Sequence, residues 1–314
     1  PAGYGFPSST GKLSMPQFSD NMRGAGYMVL AMLGFVLNDA VMKLASSDID
    51  LFQAIFLRGI LATTILGFLT WRSGGFAGSR VRPNRFLVLR TLGEVGATMF
   101  FLTALFNMEL ANAAAILQAM PLVVTLGAAL VLREAVGWRR YSAITVGLLG
   151  VLIIIRPGGD GFNIFSLSAL AAVFFLVLRD LATRGIPRAM SSNFISFVAA
   201  TAVMTMGAIV TLFGEWQPVS VLTLLQLTTS AAFLMAGYFW SIQAMRCGEV
   251  SFTSPFRYTS LIWSIIMGYL AFGDVPDVPM IIGSVIVVGS GLFTLYRERK
   301  VKLSKDQQIK AASP

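Results

Sequence analysis

Histidine is absent from the 314 residues, and cysteine occurs once, at Cys247. The first absence removes the commonest proton shuttle and metal ligand. The second excludes an intrachain disulfide and any cysteine-rich metal site. Charge is scarce too, at 12% against 55% hydrophobic residues, well outside the balance of a soluble domain. A soluble fold this apolar would expose large greasy patches. No G-x-x-x-x-G-K-[ST] loop occurs, so direct use of ATP through that motif is excluded. The net charge of +9 does not mark a nucleic-acid surface, because the basic residues lie between apolar runs and in the tail 297–310. That is the positive-inside pattern of a membrane protein.

What is present is a series of apolar runs of about 20 residues, the length that crosses a ~30 Å hydrocarbon core. Ten spans are predicted at 24–45, 51–71, 85–106, 110–132, 139–155, 164–183, 190–213, 222–245, 250–272 and 278–296. Residues 1–14 read as a cloning remnant before a native start at Met15, within an N-terminal tail of 1–23; 297–314 reads as a basic tail. Basic residues collect on one side: Arg23, Arg72, Arg80, Arg82, Arg85, Arg133, Arg139, Arg140, Arg184, Arg188, Arg246 and the tail. The other side carries Asp48, Asp50, Glu109, Asp160, Glu215, Asp274 and Asp277, with Arg156. Both termini are therefore expected in the cytoplasm of a bacterial-type inner-membrane protein.

The chain also repeats itself. A-L-F-N-M-E-L-A from Ala104 returns as A-M-R-C-G-E-V-S from Ala244, and 249 − 109, 270 − 130 and 274 − 134 all equal 140. Each unit, 24–155 and 164–296, holds five spans. Five is odd, so the second copy enters from the opposite side. The expected fold is an all-α membrane protein of ten transmembrane helices in two inverted five-helix repeats. Such an arrangement places a substrate site near the midplane and supports alternating access.

These features resemble the drug/metabolite transporter superfamily, in its EamA-type branch. The matching residues are Leu57-Arg58, Pro121, Leu132-Arg133-Glu134 and Gly150 in the first unit. In the second they are Ser254-Pro255-Phe256-Arg257-Tyr258 and Phe272-Gly273-Asp274. Leu261 stands where a second proline would echo Pro121, and Asp274 replaces the family's glutamate. The resemblance implies a secondary transporter of small amphipathic metabolites. Amino-acid export, including aromatic and apolar ones and as in members of the YddG type, is one expectation. Uptake of a larger solute such as S-adenosylmethionine, and efflux of lipophilic cations, are others.

Ionisable side chains inside spans face a cavity or each other. Counted at ~1.5 Å per residue, Asn38, Arg58, Glu94, Gln118, Arg257 and Tyr258 lie about 10–13 Å inside the membrane and converge on its middle. Glu94 is expected to meet a substrate ammonium, Arg257 a carboxylate, and Gln118 and Tyr258 to hydrogen-bond. Asp39 with Lys43, and Arg90 with Glu94, are four apart on one helix face and can neutralise each other. Arg179 and Asp180 are expected to face the headgroups. Tyr238 and Trp263, with Trp240, lie too deep for an interfacial belt and offer stacking surfaces. Pro121 interrupts its helix and is a candidate hinge. An intramembrane enzyme is disfavoured: Asp39 and Asp180 sit in different leaflets and cannot share a proton. The reading requires no cofactor or metal. Its partners are a small-molecule substrate and the lipid bilayer, and a monomer suffices.

Overall fold

The computed structural model describes residues 15–78, 84–131, 133, 137–159, 162–187 and 189–312. The expected remnant at 1–14, Leu132 and Glu134 at the close of the fourth span, and Arg80, Arg82, Asp160 and Arg188 lie outside these residues. Within the described residues the protein is all helical. The helices are α1 (Met15–Ala45), α2 (Leu51–Arg72), α3 (Arg85–Asn107), α4a (Leu110–Leu117) with α4b (Met120–Val131), and α5 (Trp138–Ile155). The second half contributes α6 (Phe165–Thr183), α7 (Ser192–Thr211), α8 (Val221–Cys247), α9a (Val250–Thr253), α9b (Thr259–Phe272) and α10 (Val278–Ala312). Among the described residues nine segments are long and apolar enough to cross a membrane, with Leu110–Val131 counted as one. The tenth crossing, α9, is divided by a 3-10 turn at Ser254–Tyr258.

Lipid cannot satisfy the free amides at a helix start, so side chains do. Asp50 accepts from the Phe52 amide at 2.9 Å, Asn84 from Phe86 at 2.9 Å, and Ser220 from Thr223 at 3.0 Å. Left-handed residues stop two of the helices, Arg156 (φ 51) after α5 and Gly273 (φ 71) after α9b. Two boundaries differ from expectation. α1 begins at Met15, running through Gly24 and Gly26, and α10 continues to Ala312, because no proline or glycine stops it after Tyr296.

Packing follows a pseudo-two-fold axis. α1 lies chiefly against α8 and α6 against α3, while α2 pairs with α7, α5 with α10, and α4 with α9. Exchanging the halves maps this list onto itself. Small residues permit the close approach, as they do generally between helices in lipid. Gly34 faces Gly237 backbone to backbone in the first of these pairs, and Gly93 faces the Arg179 backbone in its counterpart. The two copies are inverted: the Asn163 amide donates to the Asn107 carbonyl at 3.1 Å at one end, and the Glu249 amide to Asn21 Oδ1 at 2.9 Å at the other. Those two contacts lie at corresponding places in the two units, each residue two positions from its counterpart at the 140-residue offset.

Both central helices break in mid-membrane. In α4 the break follows Leu117, and Pro121 sits in the first turn of α4b, where its missing N–H costs nothing. In α9 the break is at 254–258, with Pro255 at its start. The symmetry that Leu261 seemed to forfeit is kept by a different proline.

Candidate functional site

The inward face of α3 carries Arg90, Glu94, Ala97 and Phe101 at helical spacing, whereas Val88 and Leu92 on the other side are more than half exposed towards lipid. Arg90 and Glu94 therefore point into the bundle. Gly93 lets the α6 backbone come close at Arg179. That approach brings Arg179 Nη1 to 3.5 Å from Glu94 Oε2, and Arg179 Nε donates to Asp180 Oδ1 at 2.9 Å. Arg179 and Asp180 thus belong to the interior, which corrects their expected place at the headgroups. Glu94 pairs with Arg179, 85 residues away, and not with Arg90 four residues away. The side-chain nitrogens Nε and Nη1 of Arg90 are buried, with no partner among the described residues.

Tyr238 faces these groups from α8. Its hydroxyl lies within electrostatic range of Glu94, Arg179, Arg58 and Arg90. The side chain is 44% exposed although it sits mid-helix among buried charges, the exposure expected of a residue on the wall of an opening between the helices. Phe35 meets it edge-on, with ring centres 5.3 Å apart. Deeper, Asn38 ties three helices together: its Oδ1 accepts from Arg58 Nη1 at 3.2 Å and from the Ser230 hydroxyl at 2.7 Å, and its Nδ2 donates to Asp39 at 2.8 Å. Asn38 is buried and bonded through both its amide oxygen and its amide nitrogen, which makes it a brace between the helices.

The residues expected on the broken helices divide by face. Gln118 Nε2 donates to the Ser260 hydroxyl at 2.6 Å, bridging α4 and α9. Arg257 is exposed to the cavity, within electrostatic range of Asp180 and Arg179. Its neighbour Tyr258 is buried, and its hydroxyl lies over Gly291 of α10 without a partner among the described residues. The Arg257 face of α9 is turned towards Asp180 and Arg179, and the Tyr258 face towards α10. Trp263 is partly buried against the clusters around α1, and Trp240 stacks on Tyr27 at 5.4 Å. Of the residues named from sequence, Glu94, Arg257 and Tyr238 border the cavity; Asn38, Gln118, Tyr258 and Trp263 brace the helices that form it. Arg179 and Asp180, expected at the headgroups, and Ser230 were not among the expected site residues. The one sequence signal for Arg179 is Gly93-x-x-Gly96, a stripe that invites a close neighbour.

At the acidic end the cavity is closed. Lys43, at the end of α1, donates to the Met108 carbonyl, lies 5.1 Å from the centre of the Phe272 ring, and is within range of Asp274 and Glu109. The expected Lys43–Asp39 pair is not formed. Arg156 bonds Asp277 across the two halves, and Gln53 and Gln217 exchange two bonds of 2.8 and 3.0 Å. The position matching Lys43 in the second unit is Thr183, whose hydroxyl bonds only within its own helix, to the Arg179 carbonyl at 2.6 Å. α1 also touches α3 and α4a, and fewer residues of α6 touch α8 and α9a.

Outside the spans, burial and the carboxylates of Asp274 and Asp277 push Glu109 above its ordinary range. Asp277 is held below its ordinary range: burial opposes this, but the Met280 amide and the Arg156 guanidinium outweigh it. Among the described residues no cluster of acidic, cysteine or histidine side chains could hold a metal ion.

The arrangement is a cluster of interior charges between two inverted units, tied together at the acidic end by Lys43, by Arg156 with Asp277 and by Gln53 with Gln217. The sequence profile of the EamA-like transporter family matches residues 22–156. The chain is 28% identical over 290 residues to a riboflavin transporter of Vibrio cholerae, covering 89% of this chain and 95% of the relative. It is 23% identical over 288 residues to an S-adenosylmethionine uptake transporter of Rickettsia prowazekii, covering 91% and 97%. Against the pseudopaline exporter CntI of Pseudomonas aeruginosa it is 25% identical over 262 residues, covering 83% and 91%. A solved crystal structure shares the fold with a TM-score of 0.60 at 20% identity, over 87% of this chain and 98% of the other. Residues 22–156 match the EamA-like transporter family, and over most of its length the chain, with nine segments long and apolar enough to cross a membrane among its described residues, is similar to membrane transporters.

Proposed function

We propose that this protein carries a heteroaromatic solute with a polar side arm, the chemical class to which riboflavin and S-adenosylmethionine belong, by alternating access with its basic end in the cytoplasm. The observation that carries this reading is Tyr238, an accessible ring at the centre of the bundle surrounded by Glu94, Arg179, Arg58 and Arg90. A flat ring stacks on the tyrosine while the charged groups hold the polar arm. Transport requires only that the closure at Lys43 and the opening at Thr183 exchange, as the inverted repeat permits.

Amino-acid export is a second reading, favoured by the exposed Arg257 as a carboxylate acceptor. Against it, Glu94 is already paired with Arg179 and is a poor partner for an ammonium. Proteoliposome counterflow separates the two, with labelled riboflavin, S-adenosylmethionine and a set of amino acids. The proposal expects flux of at least one heteroaromatic solute and its loss in Tyr238→Ala. Flux of amino acids alone would overturn it.

A further inference from the structure

We infer that Arg90 is an anion-binding residue of the cavity, and that the transported solute presents a carboxylate or phosphate ester to it. This rests on the reading of the cavity around Tyr238 as the substrate site. The four interior guanidinium groups are unequally occupied. Arg58 is bonded to Asn38 and lies within range of Asp39. Arg179 holds both Glu94 and Asp180. Arg257 is within range of Asp180, whose carboxylate Arg179 already engages. Arg90 alone keeps Nε and Nη1 buried with no acceptor among the described residues. Those two nitrogens carry three of the five donors of a group that stays protonated in proteins.

A buried cation with unmet donors is costly, and a protein retains one where a ligand completes it. Asp39, Glu94 and Asp180 set against Arg58, Arg90, Arg179 and Arg257 leave one positive charge in excess. An oxyanion supplies both the acceptors and the compensating charge. Position fits as well. Arg90 lies on the inward face of α3, one turn before Glu94 and within range of Tyr238, so an anion on Arg90 leaves the ring of the same solute free to stack. A lipophilic cation would find Glu94 and Asp180 already engaged by Arg179.

The test uses the full chain in nanodiscs of zwitterionic lipid, with riboflavin and riboflavin 5′-phosphate as a pair differing in charge. Flavin fluorescence should show the ester bound at least about tenfold more tightly by the wild type, the scale of one charge-assisted contact. Arg90→Gln should bring the two to parity, and Arg90→Lys should keep part of the preference. Equal binding by the wild type, or a preference untouched by Arg90→Gln, overturns the inference. The wild-type comparison decides alone if Arg90→Gln does not fold. If neither flavin binds, the proposed substrate class fails, and Arg90 is read independently. Saturable thermal stabilisation by inorganic phosphate or by succinate, relative to chloride and lost in Arg90→Gln, supports the anion site. Its absence overturns it.

Discussion

Gln118 donates to the Ser260 hydroxyl at 2.6 Å, and Ser260 donates to the Arg257 carbonyl at 2.9 Å. This chain links the break in α4 to the break in α9, the two places where backbone continuity is lost inside the membrane. Gln118→Ala should slow transport severalfold with little change in apparent affinity. A double-mutant cycle with Ser260→Ala should give a coupling of about 0.5–2 kcal/mol, the range of polar contacts between membrane helices. Additive effects would show that the two breaks move independently.

Lys43 is the latch of the acidic end, held by the Met108 carbonyl and the Phe272 ring. Lys43→Met removes the donor and the cation together. In a Cys247→Ser background, Tyr238→Cys should then react severalfold faster with a membrane-impermeant thiol reagent applied from the acidic end. An unchanged rate would place the closure elsewhere.

Acid should tighten the same closure. Glu109 is raised above its ordinary 4.5, so it holds its proton more firmly with Asp274 and Asp277 close by than with the group exposed. Its contribution is complete below 4.5 and is lost as pH rises through the raised value. Asp277 has the opposite sign: its contribution is present above 3.8 and lost as pH falls through its depressed value. As the pH falls, Glu109, which holds its proton more firmly than usual, is therefore protonated before Asp277, which holds its proton less firmly, and the Arg156–Asp277 bond persists while Glu109 becomes neutral. Labelling of Tyr238→Cys from the acidic end should fall as Glu109 is protonated, and Glu109→Gln should abolish the dependence.

Gly93 and Gly26 make a matched pair of tests. A side chain at Gly93 would run into the Arg179 backbone, whereas nothing lies within 4 Å of one at Gly26. Gly93→Val should destabilise the fold by about 1–3 kcal/mol, the cost of overpacking, and displace Arg179 from Glu94. Gly26→Ala should be neutral, or stabilising by up to about 1 kcal/mol through helix propensity. Thermal melting of detergent-solubilised protein measures both, and similar melts for the two would remove close packing as the cause.

Span number, span length and the inverted duplication were legible in the residues. Each depends on local composition: an apolar run must cross lipid, and an odd-numbered unit used twice must reverse. The break in α4 was legible from Pro121 for the same reason. The break in α9 was hidden, because its proline, Pro255, sits at a different place in the repeat.

The partners of the interior charges were decided only by the tertiary structure. Spacing along α3 offered Arg90 to Glu94; the packing of α6 on Gly93 offered Arg179 instead, and the closer approach prevailed. The same holds for Lys43, which left Asp39 for a carbonyl at the start of α4. A charge buried away from water pairs with whatever donor or acceptor the surrounding helices bring nearest. Sequence determines that such charges must find partners, and the packing of distant helices determines which ones they find.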